Sequence, residues 1–360
     1  MFNRREFIGG MIAIGSMAFF KKSVFASSQK IRIGVLVPSH CALPVFLADE
    51  RGILKKSGIQ AEITLVDKME DIVKGFAKGD FDFAQLTTPL TLAMSAGNPK
   101  LPNIPVGITQ VLGTNGGVLA VSTKSDVRKL SDLKGKRIGV HSLFMTHSLI
   151  LNLIFEKSGL DPKDVTLKVV PMSEMVTALK EDQIDGFINP EPLPTLLENK
   201  GVSKTLLKTK MFWVNHPCCL LATKRSFIAN EKNLVKDVTR AYMIAGLELN
   251  NQAFRNKAIT EIHEKILPYK QIPLPLLLQA FGTDRTDFYP FPFQSSGVIV
   301  ANQMKKLGLL QPDVETEKLV KDVFASELAL EVIKEAASEV RGSEIPTSLN
   351  REERIRLEKT

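Results

Sequence analysis

Tryptophan and tyrosine, the aromatic faces that carry a polar group, are scarce in this sequence, at one and three among 360 residues. Sugars and nucleobases are usually gripped by stacking on such faces, so both ligand classes start at a disadvantage. Cysteine is scarce too, at three residues, two of them the adjacent Cys218 and Cys219. That number builds neither a disulfide scaffold nor a four-thiolate zinc cage. No nucleophile elbow, phosphate-binding glycine loop or HExxH pattern occurs. The longest apolar run is about a dozen residues, short of the roughly 20 that a membrane span needs. What is present is a chain with 44% hydrophobic and 24% charged residues, enough to bury a real core and long enough for two lobes.

That apolar run sits at the N-terminus. Arg4 and Arg5 precede it, Lys21 and Lys22 follow it, and Val24-Phe25-Ala26 ends it with small residues. A basic start, a short apolar stretch and a small-residue stop make an export signal, cleaved near Ala26. The paired arginines followed by Glu6-Phe7-Ile8 resemble the twin-arginine class, which implies a periplasmic location. The formal charge of +8 includes four basic and one acidic residue from this segment, so the remainder is near +5. The remaining basic residues are dispersed beside turns and on helical faces, without interleaved aromatics. Nucleic-acid binding is therefore not expected.

Beyond residue 29 the pattern is strand, helix, strand, helix, strand. Lys30–Val37 reads as a buried strand, Ala42–Lys56 as a helix closed by Gly58, and Ala61–Val66 as a strand. Met69–Lys78 reads as a helix and Phe81–Leu86 as a strand, with Pro89 in the first turn of the helix that follows. The same grammar returns about a hundred residues later, as internal duplication would give. Lys56-Ser57-Gly58 is echoed by Lys157-Ser158-Gly159, and Ile63-Thr64-Leu65 by Val165-Thr166-Leu167. The step from Asp82 to Pro89 is repeated from Asp185 to Pro192. The reading is α/β, two αβα lobes with mostly parallel sheets and a ligand cleft between them. Lobe 1 takes residues 30–118 plus 220–340, and lobe 2 takes residues 119–219. Residues 341–360 form a charged tail expected to be flexible.

Several motifs together resemble the periplasmic solute-binding proteins of ABC importers, in the nitrate, bicarbonate, sulfonate and thiamine-precursor group. They are Pro44-x-x-x-Ala48-x-x-x-Gly52, Gly79-Asp-Phe-Asp82-Phe-Ala84 before Pro89, and Leu133-Lys-Gly-Lys-Arg-Ile-Gly139-Val. Asp182-Gln-Ile-Asp185-Gly186-Phe, running into Pro190-Glu191-Pro192, completes the set. Thr146-His147, Thr114-Asn115-Gly116 and Trp213-x-x-His216-Pro217 look most like the nitrate and bicarbonate binders. The resemblance implies a type II periplasmic binding-protein fold. It also implies a small-molecule ligand, an ABC permease partner in the inner membrane, and a monomer. A periplasmic receptor serving a sensor kinase is the alternative. An enzyme akin to the thiamine-pyrimidine synthase of the same fold group is the remoter one, and no catalytic residue is assigned.

Ligand contacts are expected where strands end and helices begin. Ser39, His40 and Cys41 follow the first strand, and Gln85, Thr87 and Thr88 end the third. Asn115 lies at the hinge beside Gly116 and Gly117. Thr146 reads as an N-cap that puts His147 in a first helical turn, and the resemblance places that histidine on a bound oxyanion. Asn189 and Glu191 match Thr87 and Pro89 approximately in the repeat and are expected at the cleft as well. Trp213 is read as interface packing or as a ligand contact. The resemblance sets Gln294 where a basic or metal-associated residue is expected. Glutamine brings hydrogen bonds without charge, so a neutral ligand or an anion held by dipoles fits as well as nitrate. No cofactor or resident metal is expected. Cys41, Cys218 and Cys219 keep two readings: small buried hydrophobes, or a soft-metal or redox set completed by His216.

Overall fold

The computed structural model describes residues 29–357; the segment expected to be an export signal lies outside the described residues. Two mixed sheets organise the chain. The first runs in the order β11 (Thr286–Asp287), β4 (Val106–Asn115), β10 (Pro217–Lys224), β3 (Phe83–Thr87), β1 (Gln29–Leu36), β2 (Ile59–Val66). The second runs β7 (Thr166–Val169), β6 (Arg137–Val140), β8 (Gly186–Pro190), β5 (Gly117–Ser122), β9 (Ser203–Lys208). β1 pairs parallel with β2 and β3, and β6 pairs parallel with β7 and β8, as βαβ units require.

The sheets are less parallel than the sequence suggests. β10 is antiparallel to β3 and β4, and β5 is antiparallel to β8 and β9. The reason is the route of the chain. Each of these strands arrives from the other lobe and enters its new sheet from the opposite end.

The duplicated aspartates do the same work twice. Asp82 accepts from the backbone N–H, Nε and Nη2 of Arg32, the last at 2.7 Å. Asp185 accepts from the same three groups of Arg137, the last at 2.8 Å. In each repeat the aspartate just before the third strand (β3 or β8) thereby grips the strand that opens the repeat (β1 or β6), to which it is paired.

Helix Met69–Lys78 spans the predicted residues and ends at Gly79, whose positive φ of 85° a glycine adopts freely. The long helix expected over 42–56 is instead a 3-10 turn, His40–Ala42, and two helices, Leu43–Glu50 and Ile53–Lys56. Gly52, left-handed at φ 62°, breaks it. After β10 the helical return, including Lys232–Leu249 and Ser326–Glu339, packs with helix Leu43–Glu50 against the first sheet. Among the described residues no helix is long and apolar enough to cross a membrane.

The tail departs from expectation. Rather than hanging free, residues 349–356 run as a strap across the second crossover. Ile355 forms a β-bridge with Trp213, Arg354 O accepts from Val214 N, and Arg356 N donates to Phe212 O. Glu353 anchors it, accepting from Trp213 Nε1 at 2.7 Å, from Ser295 and Ser296 Oγ, and from the Arg351 guanidinium. Burial works against this carboxylate, but those donors bring its pKa below the ordinary value. The charges that made the segment look solvated are the groups that fasten it.

Candidate functional site

The chain passes between sheets twice, at Asn115-Gly116-Gly117 and between Lys208 and Pro217. The ends of β1, β3 and β8 and the start of helix Thr146–Ser158 converge on these crossovers. Ser39, His40, Cys41, Gln85, Thr87, Thr88, Thr146, His147, Asn189, Cys218 and Cys219 are brought together here, all buried.

Local structure explains each position. Ser39 caps the 3-10 turn, accepting from Cys41 N at 3.2 Å, and Gln85 Nε2 donates back to Ser39 Oγ at 3.3 Å. Thr87 caps helix Thr88–Ser95, and its own hydroxyl donates across the cleft to Phe144 O at 2.8 Å. Thr146 proves to be the first helical residue, with Met145 at the cap position. Its hydroxyl is free of capping duty and donates to Cys218 O at 3.3 Å. His147 keeps the predicted first-turn place.

Close packing of rings on backbone follows from three glycines. A Cβ at Gly113 would stand 2.7 Å from Cys41 Sγ and 2.9 Å from His40 Nε2. A Cβ at Gly116 would overlap the His40 ring, and one at Gly117 would overlap His147 Cδ2. Each lobe's histidine is thus seated in a notch that only glycine leaves open. Burial keeps both imidazoles neutral, with pKa values lowered to about 4. His216, also lowered by burial, bonds Thr209 Oγ1 at 2.8 Å and packs edge-on to His147. Burial pushes the Cys41 thiol up, and the Cys218 thiol rises chiefly through its hydrogen bond with Cys219. Cys219 is the thiol whose ionisation is eased, by hydrogen bonds from the other two.

Polar capacity is left over. Nδ1 of His40, His147 and His216, both amide atoms of Gln110 and of Asn189, and Thr88 Oγ1 are buried without a protein partner. Unsatisfied buried groups cost about 1–3 kcal/mol each, so those gathered at the crossovers call for partners that the protein itself does not supply. A cavity of about 300 Å³ lies between the same lobes, lined by Met69, Val73, Leu90, His141, Phe144 and Met145 among others.

Four of the expected residues stand apart from this cluster. Glu191 is fully buried but bound to Arg285 Nη1 at 2.6 Å and to Thr195 N. Burial raises its pKa despite that guanidinium. Trp213 packs beside His216 and commits its indole N–H to Glu353. Gln294 opens helix Gln294–Lys306 and donates its backbone N–H to Leu349 O of the strap. Asn115 serves the hinge, donating to Asp287 at 2.7 Å and accepting from Asn215 N at 2.9 Å.

Sequence reasoning missed the cleft residue Arg285, and it did not single out the unpartnered, buried Gln110 of β4. Arg285 also holds Glu198 at 2.8 Å, and with Lys208–Asp284 and Lys210–Asp287 it closes one side of the cleft. It is a single arginine in a loop, without a spacing that marks it. Gln110 lies inside a strand buried along its whole length, where its polarity was the available signal.

The chain is similar to known proteins over most of its length. The profile of the NMT1-like family matches residues 26–263. The bicarbonate transport ATP-binding protein CmpC of Synechocystis is 27% identical over 224 residues, covering 58% of this chain and 33% of that protein. This chain therefore spans about a third of that relative. The nitrate/nitrite binding protein NrtA of a Nostoc species is 22% identical over 362 residues, covering 90% of this chain and 80% of NrtA. The crystal structure of the periplasmic nitrate-binding protein NrtA from Synechocystis superposes with a TM-score of 0.78 at 19% identity. That match covers 90% of this chain and 92% of the other, so the two share a fold.

Proposed function

The chain belongs to the NMT1-like family, and on that premise we propose that it is a periplasmic solute-binding protein for an ABC importer. It takes up a small polar or anionic solute between its lobes and works by binding rather than by chemistry. The observation that carries this reading is the set of unpartnered buried polar atoms supplied from both sides of the cleft. Thr88 and His40 come from one lobe, and Asn189 and His147 from the other. A solute bonded to both sets favours the closed arrangement over the open one, and the closed face is what a permease reads. The relatives named for bicarbonate and nitrate support a small oxyanion or a molecule of similar size. Neutral imidazoles and amides hold such a solute through dipoles rather than net charge. Ser39, Gln85, Thr87 and Thr146 complete the first layer around it. The export signal, with cleavage near Ala26, delivers a monomer to the periplasm.

The test is a thermal-unfolding screen of the exported form against nitrate, nitrite, bicarbonate, small sulfonates and amines. A solute at about 100 times its Kd adds about 2.7 kcal/mol of stability, a shift of several degrees. His147→Ala is expected to reduce that shift. A screen without any stabilising solute overturns the reading.

A further inference from the structure

Three cysteines and three of the chain's five histidines share one fully buried cluster, and solute capture by hydrogen bonding does not use the thiols. We propose that Cys41, Cys218 and His40 form a binding site for one thiophilic d10 cation, with Cu(I) as the best-matched ion. The inference goes beyond solute delivery and does not depend on an importer.

Geometry is the first support. The ligand atoms of His40, Cys41 and Cys218 all lie within 4.8 Å of one another. His40 Nε2 is 3.4 Å from Cys41 Sγ. Thiolate sulfurs about 2.3 Å and an imidazole nitrogen about 2.0 Å from a common tetrahedral centre stand about 3.6–3.8 Å apart. The side chains thus already converge to within about 1 Å of ligation distances. Cys219 Sγ and His147 Nε2 stand 4.0 and 3.8 Å from Cys218 Sγ, within reach as a fourth ligand.

Chemistry is the second. Two sulfurs and one imidazole are soft donors, and no carboxylate belongs to the group, which disfavours calcium, magnesium and manganese. Three donors with an optional fourth suit Cu(I) better than a structural zinc, which takes four. Packing is the third. Gly113 brings its backbone directly against both Cys41 Sγ and His40 Nε2, and His40 Nδ1 is buried without a partner. Side chains chosen only to fill space would not retain an imidazole at that cost.

The site sits where the two lobes meet. Cys41 and His40 follow β1 in one lobe, Cys218 lies on the strand arriving from the other, and His147 opens a helix of the second lobe. A cation bound there sits on the floor of the cleft.

The experiment loads the reduced, metal-free protein with Cu(I) in competition with a bidentate Cu(I) chelator, and separately with Zn(II). One equivalent of either ion, weakened at least tenfold in Cys41→Ser and in Cys218→Ser, is the expected result. X-ray absorption of the loaded wild-type protein gives a second readout that needs no variant to fold. It should show a sulfur shell at about 2.2–2.3 Å. A shell of oxygen and nitrogen alone overturns the proposal. So does failure of both ions to bind, or isolation of a Cys41–Cys218 disulfide whose reduction restores no metal binding. None of these results bears on whether the solute screen succeeds, so the two readings fail separately.

Discussion

Asn115 and Asn215, one on each crossover, both hold left-handed backbone, at φ 62° and 56°, and bond to each other. The side-chain oxygen of Asn115 accepts from Asn215 N, and Asn115 N donates to His216 O. The two passages between sheets are therefore tied into one joint. Asparagine tolerates this conformation better than other residues with a Cβ. Asn215→Ala is expected to cost about 1–2 kcal/mol from backbone strain, and Asn215→Gly much less. Urea unfolding of the two variants checks the order, and equal losses would show that strain is not the cause.

Arg285 is almost fully buried against Glu191, which is fully buried. Removing the guanidinium strands a carboxylate, so Arg285→Met is expected to cost about 3–5 kcal/mol. Adding Glu191→Gln should recover a large part of that loss. A double-mutant cycle by denaturant unfolding measures the recovery, and purely additive losses would rule out the coupling.

Trp213 is the single tryptophan, so its fluorescence reports the second crossover alone. Glu353→Ala leaves the indole N–H without its acceptor, an expected loss of about 1–3 kcal/mol. Emission should shift to the red as water reaches the ring. Unchanged emission would mean that the strap does not shield it.

Asp185 carries a pH signature. Its hydrogen bonds from Arg137 lower its pKa below the ordinary carboxylate value. A depressed folded-state pKa contributes stability that is complete above about pH 4, the unfolded value. That contribution is lost as pH falls through the folded value. Asp185→Asn is therefore expected to lower the urea midpoint at pH 7 and to flatten its decline below pH 4. Parallel pH profiles for wild type and variant would remove Asp185 from the acid response.

Much of this was legible in the residues. The spacing of Asp82 and Asp185 from their prolines exposed the duplication, because each aspartate must grip the strand that opens its own repeat. Ser39, Thr87 and His147 were legible because strand ends and helix starts lie at the cleft in such sheets. Others were not. Glu191 was read as a ligand contact because its partner, Arg285, comes from a loop in another part of the chain. The parallel bias was overestimated because strand direction at a crossover depends on which lobe the chain has left. The tail looked solvated because charge was counted without its partners, and Glu353 alone gathers donors from two other segments and from Arg351 of the strap itself.

The strap has a consequence for the order of assembly. Phe212, Trp213 and Val214 receive their backbone and indole partners from residues 353–356. A nascent chain can complete both sheets before those residues emerge from the ribosome, but its joint stays open on one side. Closure of the hinge therefore follows completion of the two sheets.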